Sequence, residues 1–202
     1  MKLYYMPGAC SLSPHIVALE AGLAVQLEKV DGKTKRTASD ADFLQINPKG
    51  YVPALELDTG EVLTEGPAIV QYLADLKPES GLAPPNGTLP RYQLQAWLGY
   101  INSELHKTFS PLFNPASSDE LKAERTAYLK RRYGYIEGVL AKQPYLLGQS
   151  FSVGDAYLFT VTNWARLVSL DLSAFRALVD FQQRVEARPA VQAAMRAEGL
   201  VK

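Results

Sequence analysis

The order of secondary-structure signals constrains this chain more than any other feature. Residues 1–80 mix strand and helix patterns, whereas residues 89–202 carry helical patterns only. The segment between them, residues 81–88, lies in a stretch rich in proline and glycine, as is typical of a linker. Strands followed by a block of helices predict two domains. We therefore expect an α/β domain over 1–80, a linker over 81–88 and an all-helical bundle domain over 89–202.

Within the first domain, the signals follow the order βαβ, α, ββα. They are a strand at 2–6, a helix opened by Ser11, a strand at 25–30, a short helix at 43–46, strands at 54–57 and 61–64, and a helix from Pro67. Gly60 supplies the left-handed residue of the hairpin turn, and the Ser11 hydroxyl is expected to cap the first helix. This order is that of the thioredoxin-like fold, in which a nucleophile at the first helix faces a Val–cis-Pro bond.

Cys10, the only cysteine of the chain, falls in the loop before the first helix or in its first turn. Backbone N–H groups at a helix start stabilise anions, so a thiolate is expected to form there more easily than on an isolated cysteine. The alternative is a buried cysteine that acts as a small hydrophobic residue. A single cysteine excludes an internal disulfide and is typical of a reducing compartment.

Val52-Pro53 and the helix start at Glu65-Gly66 suggest a site for an extended peptide. If the bond before Pro53 is cis, the N–H and C=O of Val52 can pair with a peptide as an added strand would. A peptide carboxylate can then rest on the N–H groups of Glu65 and Gly66, while the Glu65 carboxylate holds an α-ammonium group. The alternative for Glu65 is an acidic residue stabilised by the helix dipole alone.

A second group of polar residues follows the linker. Gly99, Ser103 and His106 are spaced i, i+4 and i+7, with Asn102 and Lys107 beside them. The apolar stripe next to this group consists of Leu94, Trp97, Leu98, Ile101 and Leu105. A helix buried on that stripe places His106 and Lys107 at the edge of a cleft. The alternative is a surface histidine without a role.

Ser152-Val-Gly-Asp155 has the pattern of a capping box, in which a serine and an acid three residues later satisfy backbone N–H groups. The apolar residues that follow indicate a buried helix. We interpret the pair as a helix start rather than as a catalytic pair.

The charge balance excludes several classes of function. The chain holds 21 basic and 21 acidic residues, and a net charge of zero argues against a nucleic-acid or membrane-surface partner. No stretch approaches the roughly 18 apolar residues that a membrane span needs. Residues 1–80 carry a net charge of −4 (7 basic, 11 acidic), and residues 81–202 carry a net charge of +4 (14 basic, 10 acidic). These two opposite charges can attract each other within a chain or across a dimer. We expect a cytoplasmic protein.

Six stretches carry a resemblance to a known family. They are Lys2-Leu-Tyr-Tyr, Pro7-Gly-Ala-Cys-Ser-Leu-Ser-Pro-His15, Asn47-Pro-Lys-Gly-Tyr-Val-Pro53, Leu63-Thr-Glu-Gly-Pro-Ala-Ile-Val-Gln-Tyr72, Ser103-Glu-Leu-His-Lys107 and Ser152-Val-Gly-Asp-Ala-Tyr157. With them, the chain resembles a bacterial glutathione transferase of the beta class over essentially its full length. Residues 110–119 are similar to the members encoded with bacterial biphenyl degradation.

The resemblance implies a homodimer with glutathione as cosubstrate. Cys10 is then the thiol beside the glutathione sulfur, and Ser11 is a hydroxyl near it. The other implied glutathione-binding residues are Lys35, Val52, Pro53, Glu65, Gly66, Gly99, Ser103, Glu104, His106 and Lys107. In the family, the residues that correspond to Ser103, Glu104, His106 and Lys107 line the far wall of the glutathione site, and some of them reach in from the helical domain or the partner subunit. Relatives often have Asn where this chain has Gly99, and Asn102 is a candidate to replace the hydrogen bond that is lost.

The implied activity is attack of the glutathione thiolate on a small hydrophobic electrophile, with Cys10 and His106 as catalytic residues and no metal. Such a transferase serves detoxification, and a chlorinated ring-cleavage product is the suggested electrophile. One alternative is glutathione-dependent thiol–disulfide exchange or peroxide reduction through Cys10. Another is non-catalytic binding of hydrophobic compounds.

Overall fold

The computed structural model describes residues 1–201, which separate into two compact units. The first consists of residues 1–83 with the described C-terminal residues from 187 onward, and the second of residues 84–186. The first unit contains a sheet with helices and the second is helical, which confirms the expected fold class. The described residues from 187 onward belong to the first compact unit, although the sequence predicts that they belong to the helical domain. The domain boundaries at residues 80 and 88 stay predictions.

A four-stranded sheet of order β2-β1-β3-β4 forms the centre of the first unit. Its strands are β1 (Lys2–Tyr5), β2 (Gln26–Lys29), β3 (Ala54–Glu56) and β4 (Val62–Thr64). β2 pairs parallel to β1 and places Leu27 opposite Leu3, whereas β3 pairs antiparallel and places Leu55 opposite Leu3. Leu3 and Leu55 are fully buried in the core of this unit. Gly60, with φ +86°, forms the turn between β3 and β4 as the sequence predicts.

Helices pack around this sheet within the first unit. They are α1 (Leu12–Glu20), α2 (Phe43–Ile46) and α3 (Gly66–Asp75), followed by a 3₁₀ turn at Pro78–Ser80. A C-terminal helix, α10 (Pro189–Ala197), packs against α1. The Arg188 guanidinium donates to both carboxylate oxygens of Glu20, at 2.6 and 2.8 Å. This bidentate pair joins the end of α1 to the start of α10.

The expected role of Ser11 as a helix cap is wrong. Ser11 precedes α1 in a helical backbone conformation, and its side chain makes no capping hydrogen bond. The hydroxyl instead accepts from the Met6 N–H and donates to the Met6 C=O, both at 3.2 Å. Ser11 therefore closes the loop between β1 and α1, which is the loop that carries Cys10.

The second unit is built from helices. They are α4 (Leu89–Tyr100), α5 (Lys107–Phe113), α6 (Asp119–Leu140), α7 (Val153–Thr162), α8 (Trp164–Leu167) and α9 (Arg176–Glu186). Every residue of α7 is buried, and this helix packs against α4, α8 and α9.

The expected continuous α-helix through residue 105 is wrong in one respect, because Ile101–His106 is a π-helical segment. The Lys107 N–H donates to the Asn102 C=O, five residues earlier. Single π-helical turns inside α-helices are frequent at functional sites.

The capping box at the start of α7 is confirmed. Asp155 is fully buried, and its carboxylate accepts the Leu146 N–H, the Ser152 N–H and the Ser152 hydroxyl at 2.7 to 2.8 Å. Burial raises the pKa of the Asp155 carboxyl to about 6. This carboxyl thus connects the loop before α7 to its first turn.

Across residues 1–201, no helix is both long and apolar enough to cross a bilayer. The same residues contain no group of three or more His, Cys, Asp and Glu side chains arranged to hold a metal ion.

Two glycines allow a matched test of helix propensity against backbone conformation. Gly138 lies inside α6, is exposed, and a Cβ built on it meets no heavy atom within 4 Å. We expect Gly138→Ala to raise the free energy of unfolding by about 0.5–1 kcal/mol, measured by urea denaturation. Gly60→Ala is the control, since its Cβ also meets no atom but its φ is +86°. That substitution should destabilise by about 1 kcal/mol, and equal effects of the two would contradict this account.

Candidate functional site

Cys10 lies in the loop between β1 and α1, and its thiol points at the loop that carries Val52. The Sγ atom lies 3.2 Å from the Val52 carbonyl oxygen, to which the S–H donates. The Val52–Pro53 peptide bond is cis. Cys10 is half-buried rather than enclosed in the core. The structure therefore brings together the sulfur and the peptide segment that the sequence analysis paired, and the alternative of a core cysteine does not hold.

The loop that carries Cys10 is also held by the C-terminal segment of the same unit. Glu198 is buried, and one of its carboxylate oxygens accepts the Gly8 N–H at 2.9 Å. Its other oxygen lies 2.9 Å from Nδ1 of His15, which lies on α1. The backbone around Cys10 is thus fixed by Ser11 on one side and by Glu198 on the other. Sequence reasoning missed Glu198, because nothing local marks a contact across more than 180 residues.

Lys35 contacts the loop that precedes Val52. Its ammonium group donates to the Gly50 C=O at 3.0 Å. The Asn47 side-chain amide donates to the Tyr51 C=O at 2.7 Å and fixes the same loop from its other end. Gly50 has φ +69°, and a Cβ built on it lies 3.1 Å from a methyl carbon of Leu44, so this position favours glycine. Lys35 and Val52 therefore belong to one connected segment of the first unit.

Glu65 and Gly66 stand at the start of α3, beside Pro53. A Cβ built on Gly66 lies 3.8 Å from Cγ of Pro53. Glu65 has φ +70° and makes no capping bond; its exposed carboxylate pairs with the Lys49 ammonium at 2.8 Å. The carboxylate is therefore directed at a cation rather than at its own helix. This arrangement is suited to a zwitterionic amino-acid group, since backbone N–H groups and a carboxylate lie side by side.

His106 belongs to the second unit, at the end of the π-helical segment. Its Nδ1 lies 2.6 Å from the Tyr157 hydroxyl, which donates to Oδ1 of Asn102 at 3.0 Å. Its ring packs edge-to-face with that of Trp164, at a centroid distance of 4.8 Å. His106 is half-buried and held by named contacts, so it is not a surface histidine without contacts. Sequence reasoning missed Tyr157 because it lies within the apolar run of α7.

The other expected residues of the second unit are near His106 in the chain but have different partners. The Ser103 hydroxyl donates to the Gly99 C=O at 3.0 Å. The Glu104 carboxylate accepts the Tyr128 hydroxyl and pairs with Arg132 at 2.7 Å. A Cβ built on Gly99 meets no heavy atom within 4 Å, so a Cβ fits at this position without a clash.

The remaining two residues of this group have separate outcomes. Asn102 holds Tyr157 instead, which counts against the expectation that it replaces a side chain at position 99. Lys107 is an exposed residue at the first position of α5.

Comparison with protein-family models identifies both parts of the chain. Residues 1–75 match the model of the glutathione S-transferase N-terminal domain, and residues 100–189 match that of the glutathione S-transferase C-terminal domain. The chain belongs to the glutathione S-transferase family. It is a bacterial beta-class member by its similarity to solved structures.

Three solved structures illustrate how close this glutathione S-transferase is to its relatives. BphK, a bacterial glutathione transferase solved as a ternary complex, is 58% identical over 99% of this chain and 100% of its own, with a TM-score of 0.98. A sphingomonad glutathione S-transferase complexed with glutathione is 47% identical over 100% of both chains, with a TM-score of 0.96. The beta-class enzyme of Sphingomonas chungbukensis is 48% identical over 100% of both chains, with a TM-score of 0.96.

The expected site residues fall into two groups, one in each compact unit. The first unit contains Cys10, Ser11, Lys35, Val52, Pro53, Glu65 and Gly66. The second unit contains Gly99, Ser103, Glu104, His106 and Lys107. Each residue has a defined position within its own unit. That the two groups act on one glutathione molecule stays a prediction.

Proposed function

We propose that the chain transfers reduced glutathione to an electrophilic carbon. The observation that carries this proposal is the contact of 3.2 Å between the Cys10 sulfur and the Val52 carbonyl oxygen. This contact supports the proposal because it leaves a thiol beside the Val52 backbone, which we propose to pair with a peptide, and because Pro53 adjoins the helix start at Gly66. Glutathione combines these features, since it is an extended tripeptide with a thiol at its centre and a γ-linked glutamate at one end. The relative solved with glutathione supports the same ligand.

In this proposal, each part of glutathione has a separate partner in the first unit. The cysteinyl backbone pairs with Val52 as an added strand, with its sulfur beside Cys10. The γ-glutamyl carboxylate accepts the N–H groups of Glu65 and Gly66, and the α-ammonium group binds the Glu65 carboxylate. The ammonium group competes there with Lys49, whose exposed pair with Glu65 contributes little stability.

The reaction requires the glutathione thiolate, and His106 is the proposed base. Its imidazole takes the thiol proton, and the resulting thiolate attacks the electrophilic carbon. With an aryl halide, the carbon–sulfur bond forms, halide leaves, and the proton passes from His106 to solvent. Backbone N–H groups at the start of α1 stabilise the anion before attack. The second substrate is a small hydrophobic electrophile, and we propose chlorinated dienoates as its chemical class.

A second activity of the same site is glutathione-dependent disulfide exchange. The position of Cys10 favours it, because a half-buried thiol beside the glutathione sulfur is placed to form a mixed disulfide. A second glutathione then resolves that disulfide, so one cysteine suffices.

This chemistry uses reduced glutathione, which supports a cytoplasmic location. We also propose a homodimer, which the opposite net charges of residues 1–80 and 81–202 favour.

Two assays on the purified chain separate the candidate activities. Conjugation of an aryl halide tests the transferase, and reduction of a glutathionylated disulfide tests the exchange activity. We expect turnover in the first assay, with the second as an additional activity. Tight glutathione binding without turnover in either assay would contradict the proposal and favour a binding protein.

Glu65→Gln tests the proposed ammonium site. The substitution keeps the shape of the side chain but removes its charge, which costs a charge-assisted hydrogen bond of about 1.5–3 kcal/mol. We therefore expect the KM for glutathione in aryl halide conjugation to rise at least about tenfold, with a smaller change in kcat. Glu61→Gln is the control, because Glu61 is exposed beside the β3–β4 turn and contacts Thr59. An equal KM in the two variants would contradict the assignment of Glu65.

A further inference from the structure

Asn102, His106 and Tyr157 form a short chain of hydrogen bonds within the second unit. The Tyr157 oxygen lies 2.6 Å from Nδ1 of His106, and its hydroxyl donates to Oδ1 of Asn102 at 3.0 Å. A tyrosine hydroxyl has one hydrogen, so the Tyr157 oxygen must accept from Nδ1–H of His106. In the neutral imidazole, the lone pair is then on Nε2.

The surroundings of Tyr157 make this arrangement well defined. Tyr157 is 2% exposed and lies on α7, the helix that is buried along its whole length. Asn102 and His106 stand on the π-helical segment, where both side chains reach the same hydroxyl. The Trp164 ring packs edge-to-face with the His106 ring, at an interplanar angle of 73°. A single buried hydroxyl therefore contacts both Nδ1 of His106 and Oδ1 of Asn102.

We propose that Tyr157 is a positioning residue that holds His106 in the Nδ1–H tautomer, so that Nε2 is the nitrogen that accepts the glutathione proton. The role of His106 as the base rests on the proposed function. In that step, the sulfur–hydrogen bond of glutathione breaks and an Nε2–H bond forms, which leaves a thiolate and an imidazolium. The Nδ1–H bond to Tyr157 persists through the step, so the imidazolium keeps a hydrogen-bond acceptor.

Nitrogen NMR of the imidazole rings tests the tautomer directly. The chain has only two histidines, His15 and His106, so a sample labelled with ¹⁵N-histidine gives one Nδ1 and one Nε2 signal from each of two rings, and His106→Gln assigns the pair of His106. In the full-length wild-type chain we expect neutral His106 to carry its hydrogen on Nδ1. Hydrogen on Nε2 would overturn the proposal, because Tyr157 would then donate to His106 and the Asn102 amide would be reversed.

Two substitutions with different expected signatures separate positioning from a structural role. Asn102→Leu removes the acceptor of the Tyr157 hydrogen, which then turns to Nδ1 and converts neutral His106 to the Nε2–H tautomer. Tyr157→Phe removes the hydroxyl and leaves a mixture of the two tautomers. Both variants should lower kcat for aryl halide conjugation about tenfold, with the KM for glutathione changed less than about twofold.

Tyr133→Phe is the matched control, since Tyr133 is a fully buried tyrosine of the same unit. It should leave the His106 signals and kcat unchanged, while thermal unfolding reports the stability of all three variants. Unchanged tautomers in Asn102→Leu and Tyr157→Phe, with conjugation intact, would overturn the inference and leave the proposed function standing. A wild-type chain that has the Nδ1–H tautomer but catalyses no conjugation would contradict the proposed function and leave the tautomer assignment standing.

Discussion

We expect Cys10→Ser to abolish the reduction of glutathionylated disulfides, with a loss of at least about 10³-fold. In that reaction, the Cys10 thiolate attacks the glutathionyl sulfur, the substrate leaves as a thiolate, and a second glutathione thiolate releases oxidised glutathione from Cys10. A serine hydroxyl cannot form the mixed disulfide. Steady-state reduction of a glutathionylated peptide measures the loss.

Conjugation by the same variant provides the internal comparison. The nucleophile there is the sulfur of glutathione itself, so replacing the Cys10 thiol by a hydroxyl alters one hydrogen bond of about 1 kcal/mol and should lower the rate by at most about fivefold. Serine can still donate to the Val52 C=O, so the loop should keep its conformation. Full retention of disulfide reduction in Cys10→Ser would refute the redox role of this residue.

Asp155→Ala is expected to lower the free energy of unfolding by about 4 kcal/mol, measured by urea denaturation near pH 5. The carboxyl accepts three hydrogens, from the Leu146 N–H, the Ser152 N–H and the Ser152 hydroxyl. Alanine leaves all three donors buried without an acceptor, and each such group costs about 1–3 kcal/mol. Asp171→Ala is the control, because Asp171 is exposed and accepts one backbone N–H at the surface. A cost below about 1 kcal/mol for Asp155→Ala would contradict the role given to this carboxyl.

The pH dependence of the Asp155 contribution has a definite sign. Burial raises the pKa of the Asp155 carboxyl from 3.8 to about 6, so the folded state binds its proton more tightly than the unfolded state does. Between these two values, the folded protein holds more protons, and the free energy of unfolding falls as the pH rises. The stability difference between wild type and Asp155→Asn should therefore narrow as the pH is raised from about 4 to 6. A difference that widens over that range would show that the ionised carboxylate is the favoured form.

The elements of the first unit and its half of the site were predictable because their signals are local. Gly60 at a hairpin turn and the glycine and proline at the start of α3 each depend on neighbours within a few residues. The contact between Cys10 and Val52 followed from the element order, since that order determines which loops meet at one edge of the sheet.

Other parts of the site depend on contacts that no local pattern encodes. The Ser11 hydroxyl was expected at the helix start, but the Met6 backbone in the same loop competes for it. The π-helical segment at Ile101–His106 differs from an α-helix by one widened turn, which leaves the apolar periodicity almost unchanged. Tyr157 follows an unambiguous capping motif, yet its hydroxyl acquires a role only when α7 packs against the π-helical segment.

A crystal structure of the chain with reduced glutathione tests the central claim most directly. We predict that the tripeptide pairs with the Val52 backbone, that its sulfur contacts Sγ of Cys10, and that its glutamyl carboxylate accepts the N–H groups of Glu65 and Gly66. Glutathione bound elsewhere, or a Val52–Pro53 groove filled by the protein's own side chains with Cys10 turned into the apolar core, would contradict this account.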